Sequence, residues 1–237
     1  STQAKTLFPY TTLFRSRKEP ASLWSHFYPR SPMRWEWDES GDNRVGSLWH
    51  LKTELSTTRQ VVYTKWYQGR ATYFSKPLFT ALLCSLNGGK PAEKRGLSKT
   101  AHQLLELLDS ESPLSTKELK RMAGLQGKSN EAAYQRALKE LWSRLLIVAF
   151  GEVEDGAFPS LAVGSTRILF EDLWHKALTL APSEADEQIA RALTEKNPFF
   201  KFYRKLQKST VAVETAPEKK ARKKGPLVPK EIHFSDL

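Results

Sequence analysis

Residues 97–163 read LSKTAHQLLELLDSESPLSTKELKRMAGLQGKSNEAAYQRALKELWSRLLIVAFGEVEDGAFPSLAV, and their punctuation decides the fold. Ser98 precedes Ala101, Leu104, Leu105 and Leu108, apolar residues at helical spacing behind an oxygen suited to cap the first turn. Ser115-Thr116-Lys117-Glu118 has the form of a capping box, in which Ser115 accepts an amide three residues on and Glu118 reaches back. That second helix runs into Gly124, a residue free to adopt the left-handed conformation that ends helices. A third helix is expected from about Asn130 to Leu145, with Tyr134, Ala137, Leu138, Leu141 and Leu145 on one inward face. Leu146 to Phe150 then reads as a strand, Asp155-Gly156 as a turn and Phe158 to Val163 as the return strand. Three helices followed by a β-hairpin is the plan of a winged helix, which the pattern assigns to residues 97–180.

Working toward the amino terminus, Val45 to Leu55 reads as a short helix. Gln60 to Tyr67 and Arg70 to Ser75 are β-rich runs on either side of Gln68-Gly69, the signature of a hairpin with a two-residue turn. Pro77 suits the first turn of a helix over Lys76 to Leu86, and Asn87-Gly88-Gly89-Lys90-Pro91 breaks it as a linker. Residues 17–90 are therefore expected to form a partial amino-terminal winged-helix-like module, whose stretch 17–45 is rich in Trp, Pro and Arg. Thr6 to Ser16 matches, codon for codon, the translation of a sequencing-library adapter. Residues 1–16 are accordingly set aside as an artefact, with the natural gene expected to begin upstream of Arg17. Toward the carboxyl terminus, Arg167 to Leu178 and Glu184 to Asn197 read as helices, and Phe199 to Arg204 could start another. Residues 181–208 are assigned to carboxyl-terminal helices, and 209–237 to a disordered basic tail that includes Lys219 to Lys224. The fold class is mainly helical α+β, with tandem winged-helix-like modules carrying hairpin wings.

The 37 Lys and Arg residues against 26 Asp and Glu give a formal net charge of +11, which favours polyanionic partners. No apolar run approaches the roughly 20 residues needed to cross a bilayer, so no membrane partner is expected, and a cytoplasmic location is. Cys84 stands alone within Leu82-Leu83-Cys84-Ser85-Leu86 and reads as a small buried hydrophobe. His26, His50, His102, His175 and His233 show no metal-ligand spacing, and Gly88-Gly89-Lys90 lacks the rest of a phosphate loop. No cofactor, no metal site and no catalytic residue can be assigned.

Candidate nucleic-acid contacts come from two places. The outward face of the third helix carries Gln135, Arg136, Lys139 and Ser143, with Lys128 just before the helix on the same side, side chains able to meet phosphates or base edges. Pairing the first hairpin across Gln68-Gly69 groups Lys65, Tyr67, Arg70 and Thr72 near its tip, a cationic edge with an aromatic between the charges. The second hairpin argues the other way: Gly151-Glu152-Val153-Glu154-Asp155-Gly156 is an acidic wing that repels phosphate and could serve a protein partner instead.

The order of motifs resembles relatives of the bacterial interstrand-crosslink DNA glycosylase AlkZ, a family built from tandem winged helices. The resemblance rests on Pro20 to Trp24, Trp49 to Leu55, Val62 to Trp66, Gly69 to Thr72, Pro113 to Leu119, and Arg136 to Leu141 with the strand after it. It implies a DNA-binding, repair-type protein whose partner is double-stranded DNA. The characterised glycosylases position water with a glutamine–any–glutamine or glutamine–any–aspartate motif. No glutamine here has Gln or Asp two residues later, so no catalytic role carries over. Three readings remain open: a winged-helix DNA-binding protein, a glycosylase whose motif is lost or diverged, and a protein-interaction module.

Overall fold

In a computed structural model of the chain, residues 28, 30, 43–93, 96–155, 159–193 and 195–214 are described. The adapter-like stretch, most of the Trp- and Pro-rich segment before Asn43, Gly156 to Phe158 of the second turn and the basic run 219–224 lie outside them.

Five short strands form one antiparallel sheet in the order β2-β1-β4-β5-β3. The first hairpin is β1 (Val62–Thr64) and β2 (Thr72–Phe74); the second is β4 (Ile147–Val153) and β5 (Ser160–Ser165), with β3 (Leu114–Ser115) along the outer side of β5. Tyr63 pairs with Ala149, so β1 lies against β4 and joins both hairpins into one sheet. Preceding the sheet is helix α1 (Asn43–Thr57), which packs on β4, while α2 (Lys76–Leu86) follows β2. Phe79 through Cys84 and Leu86 are all buried, because α2 is enclosed by α7 (Glu171–Thr179), α8 (Pro182–Ala192) and α9 (Pro198–Glu214). A helix that is apolar on every side needs such surroundings.

Helices α3 (Lys99–Ser110) and α4 (Thr116–Met122) carry the expected serine caps, and α5 (Lys128–Ser143) begins after Gly127 without a side-chain cap. The Ser98 hydroxyl accepts from the Ala101 amide at 3.3 Å and Ser115 from Glu118 at 3.1 Å, each interaction contributing about 1 kcal/mol. Gly124 takes φ 66° and closes α4, the Leu125 amide donating to the Lys120 carbonyl. Only half of the capping box forms, since Glu118 turns instead to make a two-pronged pair with Arg121 (2.8 and 2.5 Å).

Several boundaries differ from expectation for identifiable reasons. α5 ends two residues early because Leu145 turns left-handed (φ 57°), a conformation held by its complete burial. The helix expected over 167–178 is divided into α6 (Thr166–Leu169) and α7 at Phe170, whose buried ring and extended φ of −132° interrupt the spiral. α9 continues to Glu214, past the point at which the chain becomes polar.

The first hairpin departs most from its expected register. Thr64 pairs with Thr72, so residues 65–71 form a long loop in place of a two-residue turn. Two hydroxyls fasten that loop: Thr72 accepts from the Tyr67 amide (3.2 Å) and donates to the Arg70 carbonyl (2.9 Å), while Thr64 accepts from the Trp66 amide (3.3 Å). Gln68 and Gly69 supply the positive φ values that the reversal requires.

Candidate nucleic-acid interface

The position of α5 is set from both ends and from its inner face. Tyr134, Ala137, Leu138 and Leu141 are buried, and the Tyr134 hydroxyl donates to the Thr116 carbonyl at 2.6 Å. Burial raises the pKa of that phenol, which therefore stays protonated and keeps donating. At the carboxyl end, residues from the first half of the chain satisfy carbonyls that no helical amide can reach. The Trp66 indole donates to Ser143 O (3.2 Å) and the Asn87 amide to Arg144 O (3.0 Å); Asn87 Oδ1 in turn accepts from the Arg144 guanidinium (3.0 Å). Asn87 and Arg144 are both buried, so each satisfies a polar group the other would leave exposed to a dry interior.

Lys128, Gln135, Arg136 and Lys139 are exposed on the opposite side of α5. Both acidic residues of the helix are engaged elsewhere. Glu131 is paired with Lys120 of α4 and also accepts from Gln135 (2.8 Å), and the Lys120 contact is the main reason its carboxyl pKa is lowered. Glu140 caps the start of α3, accepting from the Ser98 amide at 2.9 Å and its hydroxyl at 2.7 Å. Lys128, Arg136 and Lys139 have no ion-pair partner among the described residues. The outer face of α5 thus presents three cations whose charge is not cancelled locally.

The remaining sequence candidates are placed differently. Ser143 is half-buried and its hydroxyl donates to the Glu140 carbonyl, so it belongs to the helix end and not to the outward face. Tyr67 is a core residue, 7% exposed, with its ring edge-on to Phe199 (4.7 Å) and Phe202 (5.3 Å) of α9. The altered register explains this, because the long loop folds Tyr67 beneath the hairpin. Arg70 is half-buried on that loop. Lys65 is half-buried too, facing Lys52 of α1 and Glu152 of β4.

The acidic wing is also altered by its surroundings. A bulge between Ala149 and Glu152, centred on Gly151 at φ 77°, inserts one residue into β4. Beyond it Glu152 meets the buried Lys52 ammonium at 2.5 Å. Asp155 accepts from Ser115, Ser160 and Lys117, contacts that lower its carboxyl to about 2. Of the three acids in the wing, Glu154 alone lacks a pairing cation among the described residues. Sequence reasoning missed Lys52 and Lys117 as the wing's counter-charges, since nothing local links them to residues 152 and 155.

Elsewhere the polar groups serve packing. Cys84 is fully buried, its thiol donating to Leu180 O (3.3 Å), and burial raises its pKa. Ser85 and Tyr203 both donate to Asp186 (2.8 and 2.7 Å), and burial pushes the Tyr203 phenol up to about 12. Among the described residues no three His, Cys, Asp or Glu side chains gather as a metal site, and no helix is long and apolar enough to cross a membrane.

Comparison with known families gives a match to the AlkZ related family over residues 10–208. No curated protein matches the chain. The match covers most of the sequence, and the chain belongs to the AlkZ-related family, among relatives of a DNA-repair glycosylase.

Proposed function

We propose that this AlkZ-related chain binds double-stranded DNA through a winged helix formed by residues 97–180, with α5 as the element that meets the duplex. The order α3-β3-α4-α5-β4-β5, with β3 beside β5, supports the winged-helix assignment. The observation that carries the reading is the charge distribution on α5. Lys128, Arg136 and Lys139 are exposed and unpaired among the described residues, while Glu131 and Glu140 are committed to neighbouring helices. Phosphate contacts from these cations position the protein, and Gln135 and Arg136 are the side chains suited to base edges. The wing opposes phosphate less than its composition implies, because Glu152 and Asp155 are already neutralised. Arg70 extends the basic surface on the first hairpin's loop; Tyr67 and Ser143 take no part.

The test is fluorescence anisotropy with a short labelled duplex across a salt series. Electrostatic binding gives an affinity that falls linearly with salt on logarithmic axes. No binding at low salt, or binding indifferent to salt, would refute the proposal.

A further inference from the structure

Helix α9 carries a second set of cations, outside the unit that contains α5. Lys201, Arg204, Lys205 and Lys208 are all exposed, and their spacing of i, i+3, i+4 and i+7 lines them along one face. No Asp or Glu occurs in this helix before its last residue, Glu214. The helices beside it mix their signs: α7 sets Glu171 and Asp172 before Lys176, and α8 carries Glu184, Asp186 and Glu187 with Arg191. Lys201, Arg204 and Lys208 have no ion-pair partner among the described residues. The face is held from beneath. Phe202 sets its ring edge-on to Trp66 at 4.9 Å and to Tyr67 at 5.3 Å. Tyr203 is buried, its hydroxyl donating to Asp186 at 2.7 Å and accepting from Gln207 Nε2 at 2.9 Å. Gln207 Oε1 in turn accepts from the Arg204 guanidinium at 2.5 Å, so a neutral amide orients this cation without cancelling its charge. Trp66 joins the two basic helices: its ring meets Phe202 of α9, and its indole N–H donates to the Ser143 carbonyl at the end of α5 (3.2 Å). One side chain therefore spans from α9 to the end of the helix that carries Lys128, Arg136 and Lys139.

We propose that the outer face of α9 is a second phosphate-binding surface for the bound duplex, lying outside the winged helix. Lys201 and Lys208 are seven positions apart, roughly 10 Å at 1.5 Å per residue. That length faces about three phosphates of one strand, enough for separate contacts from Lys201, Arg204 and Lys208. Contacts of this kind fix orientation and add affinity but read no sequence, so α9 serves any duplex alike. The inference rests on the DNA-binding reading above.

The experiment measures fluorescence anisotropy of the full chain on a labelled duplex about three helical turns long, across a salt series. The variant Lys201→Gln, Arg204→Gln, Lys208→Gln is expected to lose about 2.7 from the slope of log affinity against log salt. Its charge-conserving counterpart, Lys201→Arg, Arg204→Lys, Lys208→Arg, is expected to keep the wild-type slope. Arg191→Gln removes a cation already paired with Glu187 and is expected to leave the slope unchanged. An unchanged slope in the Gln variant, while the wild type binds, overturns the proposal. So does a loss that the charge-conserving variant shares, or a loss per charge that Arg191→Gln reproduces. Failure of the DNA-binding reading has another signature, in which the wild type shows no salt-sensitive binding and both proposals fall. A loss in the α9 variant with none on removing Lys128, Arg136 and Lys139 supports α9 and refutes α5.

Discussion

Removing the three cations of α5 together should change how binding responds to salt, by an amount the structure fixes. Lys128 and Lys139 lie eleven positions apart on one helix, roughly 16 Å at 1.5 Å per residue. A DNA strand carries one charge per about 3.4 Å of axis, so that length faces four to five phosphates and leaves room for three separate contacts. Each phosphate neutralised contributes about 0.9 to the slope of log affinity against log salt. The triple variant Lys128→Ala, Arg136→Ala, Lys139→Ala should therefore lose about 2.7 from that slope. Across a rise from about 50 to 200 mM salt, this amounts to roughly a forty-fold smaller loss of affinity than the wild type shows. Fluorescence anisotropy at four or more salt concentrations measures it directly. A paired control separates net charge from contact: Glu118→Ala with Arg121→Ala removes a cation already bound to its own acid, and should leave the slope unchanged. If the triple variant keeps the wild-type slope, α5 is not the binding face.

Three further outcomes test the surrounding framework. Tyr67→Ala should cost roughly 3–5 kcal/mol in urea unfolding, as for other large buried aromatics, yet leave duplex affinity intact where the variant is folded; a surface role would give the opposite pattern. Glu152→Gln removes the carboxylate that pairs with the buried Lys52 ammonium and should cost up to about 3–5 kcal/mol, whereas replacing both residues by apolar ones should recover most of it. Asp155 has its pKa lowered from 3.8 to about 2 by Ser115, Ser160 and Lys117. A depressed carboxyl stabilises the fold above its ordinary pKa, and that contribution disappears as pH falls from about 4 toward 2. Melting temperatures of wild type and Asp155→Asn should therefore differ at neutral pH and converge at the acid end; a constant difference would contradict the assignment.

The parts of the fold legible in the sequence were those specified over a few residues. Ser98, Ser115 and Gly124 act on amides and carbonyls three or four positions away, and the apolar spacing of α3 and α5 needs only the helical period. The hairpin register is not legible locally, because Gln68-Gly69 satisfies the rule for a tight turn while the bonds that enlarge the loop come from Thr64 and Thr72. Tyr67 looked like an exposed aromatic because its partners, Phe199 and Phe202, lie more than a hundred residues on. The same separation hid the charge balance of the wing, since Lys52 and Glu152 stand 100 positions apart. Of the candidate contacts, Lys128, Gln135, Arg136 and Lys139 on α5 kept their exposure because one helix face is decided by its own period, while Ser143, at the helix end, did not. Those on the hairpin did not, because their surroundings are supplied by other parts of the chain.

The pairing of β1 with β4 has a consequence for anyone who would cut the chain at Leu97 to isolate its second half. Such a fragment would retain its own helices but bare the side of β4 that pairs at Ala149 with Tyr63, an open edge able to recruit strands from other molecules. It would also lose Trp66 and Asn87, and with them the caps on the last carbonyls of α5. What reads as a self-sufficient unit in the sequence is a piece whose torn side is adhesive. Aggregation of that fragment would be a property of the cut, and says nothing against the stability of the intact chain.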